Sequence, residues 1–130
     1  MTPELLTLVL LTLLALALPL FYAGLYGQQI GVKGLMGPRE GVPEPAGLAG
    51  RGLRAHRNLL ENLVPYAVAV LVARALGVSN AYTVGAAWVF LAARLLHPVA
   101  YLSGVGPLRT VAYNTGLIAT LVILVQILVK

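Results

Sequence analysis

Residues 5–20 read LLTLVLLTLLALALPL, and the run continues to residue 27 without a charged side chain. A helix rises about 1.5 Å per residue, so about 20 such residues cross a hydrocarbon layer about 30 Å thick. The run is long enough to do so. A membrane β-strand would alternate lipid-facing and lumen-facing residues in segments of about ten, whereas this stretch is continuously apolar and rich in Leu and Ala. A signal peptide is also a poor description. Glu4 precedes the run with no Lys or Arg, the apolar stretch is too long, and Phe21-Tyr22-Ala23 is a weak cleavage site. The expectation is a retained first span with Glu4 at its edge.

Three more stretches of comparable length follow, Leu59 to Leu76, Ala81 to Ser103 and Leu108 to Val129. With 59% hydrophobic and only 10% charged residues, the whole chain reads as one integral membrane domain over residues 1–130. Gly77 to Asn80 forms a tight turn, in which Gly77 caps one helix and Ser79 or Asn80 starts the next. Ser103 to Pro107 repeats the arrangement, with a proline where the first helical turn tolerates it. The remaining connection, QQIGVKGLMGPREGVPEPAGLAGRG (28–52), is dense in Gly and Pro and reads as a loop over most of its length. The predicted fold is all-α, an up-down-up-down four-helix bundle with helices at about 4–27, 50–76, 81–103 and 107–129 and one long loop at about 28–49.

Absent residues exclude chemistry. There is no Cys, hence no disulfide, thiolate metal site or protein thiol nucleophile, and any thiol chemistry must take its sulfur from a ligand. There is no Asp for a Ser-His-Asp triad, and His56 and His97 on different helices make no zinc spacing, so no metal is expected. The net charge of +5 does not imply nucleic acid, because the basic residues mark topology instead. Lys33, Arg39, Arg51, Arg54, Arg57 and Arg109 belong to one side, Arg74 and Lys130 to the other. The positive-inside rule makes the richer side cytoplasmic and leaves both termini on the non-cytoplasmic side. Short loops and the lack of a retention signal favour a bacterial inner membrane.

Polar residues then gather at the cytoplasmic ends of three helices. Arg51, Arg54, Asn58, Glu61 and Pro65 fall at i, i+3, i+7, i+10 and i+14, a single helical stripe with Arg57 at its edge. Membrane anchoring accounts for Arg51 and Arg54, but a carboxylate about a turn inside hydrocarbon costs up to roughly 2.5–3.5 kcal/mol and needs a partner. Arg94, His97 and Tyr101 share a face of the third helix, and an ion pair between Glu61 and Arg94 is expected. Arg109 and Thr110 open the fourth helix, with Tyr113 one turn on. A helix N-terminus carrying an arginine suits an anion or a thiolate; the bland reading is an interfacial arginine beside an aromatic belt.

The combination of RGLRAHRNLLE (51–61) and Pro65 with RLLHPVAY (94–101) and PLRTVAY (107–113) resembles the MAPEG family, the membrane-associated proteins of eicosanoid and glutathione metabolism. The resemblance implies a homotrimer with glutathione, or another low-molecular-weight thiol, bound between subunits near the cytoplasmic face. The expected activity is a glutathione-dependent transferase or peroxidase that turns a thiolate on a lipophilic electrophile arriving from the bilayer. On this reading Arg57, Asn58 and Glu61 hold the peptide, with Arg54 and Arg94 in the same binding set. His97 and Tyr101 add contacts, and Arg109, Thr110 and Tyr113 face the sulfur. Two departures stand out: the basic cluster after the first helix in eukaryotic members is reduced to Lys33, and the Tyr101 to Arg109 connection is one residue shorter. The alternatives are a non-catalytic glutathione- or lipid-binding protein of the same fold and a small four-helix exporter, which would need an acidic residue in mid-span.

Overall fold

A computed structural model describes residues 1–130 as four helices, α1 (Pro3–Met36), α2 (Gly47–Ala75), α3 (Ala81–Ser103) and α4 (Gly106–Leu128), with no strand. Contacts along the helices fix their directions. Tyr22 on α1 meets His56 on α2 and Thr7 meets Tyr66, so α1 and α2 run antiparallel. Arg94 on α3 meets Asn58 on α2, and Gln126 on α4 meets Asn80 at the start of α3, giving the up-down-up-down order. The helices α2 and α3 each pack on both α1 and α4, whose backbones do not approach one another closely.

The expected loop is shorter than the composition suggested. α1 runs nine residues past Gly27 and bends at Gly31, whose φ of 72° lies in the left-handed region that glycine enters without a Cβ clash. The irregular segment is 37–46, and it is tied down: Tyr26 Oη donates to the Pro43 carbonyl at 2.6 Å, and the Gln29 side chain makes two hydrogen bonds of 3.1 Å with the Ala46 backbone. The turn between α2 and α3 is as expected. Gly77, at φ 68°, ends α2, and Val78 N–H reaches back to the Ala73 carbonyl at 2.8 Å. Asn80 then caps α3 in a reciprocal box with Thr83, accepting from Thr83 N–H at 3.1 Å and donating its own N–H to Thr83 Oγ1 at 2.9 Å.

Three helices, α1, α3 and α4, are long and apolar enough to cross a membrane. α2 falls short on composition because Arg51, Arg54, Arg57, Glu61 and Arg74 dilute it, and like α3 it packs against the other three helices. The core centres on Tyr66, stacked on Phe90 with ring centroids 3.9 Å apart, together with Leu11, Leu59, Val70 and Ile123. Alanines 69, 73, 87 and 119 bring the helix backbones close, as small residues do inside lipid. The exterior is apolar in turn, with Leu13, Leu16, Leu20, Val68, Leu71, Ile118 and Leu121 all exposed, the distribution of an integral membrane bundle.

Glu4 lies in the first turn of α1, at the edge of the span as expected, but it does not face solvent. It is 4% exposed, and one carboxylate oxygen accepts from Ser79 Oγ at 2.9 Å and Thr83 Oγ1 at 2.7 Å. The start of α1 is thereby fastened to the α2–α3 turn at the end of the bundle far from Arg109.

Candidate functional site

An open recess lies between α2, α3 and α4, lined by Asn58, His97, Tyr101, Arg109, Thr110 and Tyr113. The sequence selected all six, and helix periodicity explains why they converge. His97 and Tyr101 stand one turn apart on α3, with ring centroids 5.6 Å apart, and Thr110 and Tyr113 stand one turn apart at the start of α4. Antiparallel packing of α3 and α4 then brings the C-terminal turns of one beside the N-terminal turns of the other.

Tyr101 organises the mouth. The Arg109 guanidinium lies 4.8 Å from its ring centroid and the Arg54 guanidinium, from α2, 5.9 Å. A cation over an aromatic face gains about 0.5–1 kcal/mol at an exposed site, so Tyr101 gathers two positive charges from different helices at one opening. The ring contact leaves the N–H donors of Arg109 free for an anionic ligand. Thr110 Oγ1 reaches its own helix only at 3.4 Å, to the Gly106 carbonyl, so its hydroxyl is also available.

Arg94 lies behind this wall. It is 1% exposed and donates from Nη1 to Asn58 Oδ1 at 3.2 Å and from Nη2 to the Tyr113 carbonyl at 3.1 Å, while Nε has no partner. Phe90 and Tyr113 flank the guanidinium, 5.1 and 5.8 Å from the ring centroids. The expected ion pair with Glu61 does not form. Glu61 is exposed, and it is Asn58, one turn nearer the recess end, that stands level with Arg94. A full charge is therefore buried among neutral partners, an arrangement that an anion nearby would stabilise strongly.

The recess does not include every residue the sequence nominated. Arg57 and Glu61, both exposed on α2, do not line it, nor does exposed Arg54, which reaches only its rim through Tyr101. What sequence reasoning missed is Gly116, whose α-carbon packs on the Arg94 guanidinium, and the role of the Tyr113 carbonyl as an acceptor. A glycine inside an apolar helix was the available signal, since it lowers helix stability by about 1 kcal/mol relative to alanine and calls for a packing reason. No cluster of His, Cys, Asp or Glu able to hold a metal ion occurs.

Fold and site together define an integral membrane four-helix protein with a cationic, hydroxyl-bearing recess at one end. The model of the MAPEG family matches residues 5–129, and the chain belongs to that family. No match was found among curated proteins.

Proposed function

We propose that the protein is a membrane-embedded glutathione-dependent transferase or peroxidase, acting on lipophilic electrophiles. The observation that carries this reading is the position of Arg109 over Tyr101 at the mouth of a recess that also presents Thr110, Tyr113, His97 and Asn58. The donor set fits a peptide thiol. Arg109 and the two hydroxyls supply hydrogen bonds for a thiolate, and Asn58 and His97 supply polar contacts for the peptide. When bound, glutathione supplies the sulfur nucleophile that this cysteine-free chain lacks. The protein's own part is to bind, orient and stabilise charge. A thiol's pKa of about 8.5 falls by about two units for about 2.7 kcal/mol of preferential stabilisation of the thiolate. A charge-assisted hydrogen bond from Arg109 contributes about 1.5–3 kcal/mol, enough for most of that shift.

The motif set resembles that of microsomal prostaglandin E synthase, in which a serine stands at the position of Thr110. A homotrimer accounts for the residues that the recess leaves out. Arg57 and Glu61 are exposed on α2 outside the recess, and a second copy packed there would enclose them and complete the binding site between subunits. The six basic residues gathered at the recess end support a cytoplasmic recess with the termini on the opposite side, and the short connections favour a bacterial inner membrane.

The test is the ultraviolet thiolate absorbance of glutathione added to the purified protein, native chain against Arg109→Ala. The expected result is a thiolate band in the native protein that is lost in the variant. No thiolate in either overturns the mechanism, and glutathione binding without thiolate points to the non-catalytic binding protein of the same fold.

A further inference from the structure

Gly116 sits in the interior of α4 with an ordinary helical φ, so conformational freedom does not explain it. The space around it does. A Cβ built there would stand 2.7 Å from Nε and 2.8 Å from Cζ of Arg94 and would overlap Nη2 outright. These three nearest atoms all belong to one guanidinium and none to the α3 backbone, so the missing side chain makes room for a cation and not for a close helix crossing. The guanidinium cannot step aside freely. Both of its terminal nitrogens are engaged, with Asn58 Oδ1 and the Tyr113 carbonyl, and it is packed against Phe90.

Asn58 is where this arrangement reaches the recess. Its amide oxygen is taken by Arg94 from behind, while the residue itself lines the recess. An amide whose oxygen is held in this way turns its N–H donors to the open side, and so selects an acceptor such as a carboxylate or peptide carbonyl. We propose that Gly116 is a positioning residue: its missing Cβ is the notch in which Arg94 docks, and through Arg94 it fixes Asn58 as a hydrogen-bond donor in the recess wall. The notch stands on geometry alone, whereas its effect on a bound thiol peptide rests on the function proposed above.

The experiment is a double-mutant cycle of Gly116→Ala and Arg94→Ala in the intact chain in detergent, read by thermal unfolding and by glutathione affinity. In the native background, Gly116→Ala should lower Tm by several degrees. In the Arg94→Ala background it should leave Tm unchanged or raise it, because the new methyl group enters vacated space and alanine is the better helix former. An equal loss of Tm in both backgrounds would show that the α4 backbone, not Arg94, needs the glycine, and would overturn the notch. Glutathione affinity should fall about tenfold in Gly116→Ala with the oligomeric state unchanged; undiminished affinity overturns the link to Asn58. Should the native chain itself bind no glutathione, the functional reading fails. Substituting free glutamate and acetate as carboxylate probes, with their binding read by Asn58 amide chemical shifts, then decides the link: shifts in the native chain that vanish in Gly116→Ala support it, and shifts equal in both, or absent from both, overturn it.

Discussion

Arg94 on α3 donates to Oδ1 of Asn58 on α2 at 3.2 Å, and Glu61, one turn further along α2, is exposed. The only side-chain acceptor for a deeply buried cation is thus a neutral amide. Converting it to a carboxylate should satisfy the charge internally and remove the need for an external anion. Asn58→Asp is expected to raise the Tm of the ligand-free protein, by about 1 kcal/mol of added stability, and to weaken glutathione binding severalfold. Thermal unfolding with and without glutathione measures both effects. A parallel rise in both would show that Arg94 does not respond to the ligand's charge.

Asn58→Leu makes the opposite change. It leaves Nη1 of Arg94 buried without its acceptor, at a cost of about 1–3 kcal/mol. The loss should appear as a lower Tm and should shrink when Arg94 is shortened to alanine in the same chain.

Tyr101 should act on Arg109 through its ring and not its hydroxyl. Tyr101→Phe is therefore expected to keep thiolate absorbance close to native, while Tyr101→Leu removes about 0.5–1 kcal/mol of cation–π attraction and lets Arg109 move off the mouth. A severalfold loss of thiolate in Tyr101→Leu alone is the expected pattern; equal loss in both variants would assign the effect to the hydroxyl.

At the far end, Glu4→Ala should destabilise the bundle by about 1–3 kcal/mol, because Ser79 and Thr83 lose their shared acceptor. Glu4→Gln keeps an acceptor oxygen and should lose less. Thiolate formation in the surviving folded protein should match the native chain, since the recess lies at the other end of the helices. A loss of thiolate in folded Glu4→Gln would show coupling along the bundle.

Tyr66→Phe isolates a single hydrogen bond. It removes the 2.6 Å contact with Thr7 but keeps the stacked ring on Phe90, and a loss of about 1 kcal/mol is expected. Tyr66→Ala also removes the ring from the core and should cost about 3–5 kcal/mol, by analogy with other large aromatic truncations. Comparable Tm losses for the two would contradict the assignment of Tyr66 to the core stack.

The sequence by itself determined the membrane class, the four helices, a start of α3 at Ser79 or Asn80, and a polar set of which six members line the recess. Each follows from a local rule: apolar length against bilayer thickness, Asn and Gly at helix ends, and the 3.6-residue period that aligns His97 with Tyr101. It erred where glycine density was taken for loop, because a glycine is tolerated in a helix and α1 bends at Gly31 without ending there. Only the tertiary structure decided which polar residues meet. Asn58 and Glu61 lie on the same stripe of α2, separated by about 4.5 Å of rise and a partial rotation, and either could have faced Arg94. The sliding and rotation of one helix against its neighbour chose Asn58. That choice depends on packing across the whole interface, including the absence of a Cβ at Gly116 and the fastening of Glu4 to Ser79 and Thr83, and no pattern within a single helix encodes it.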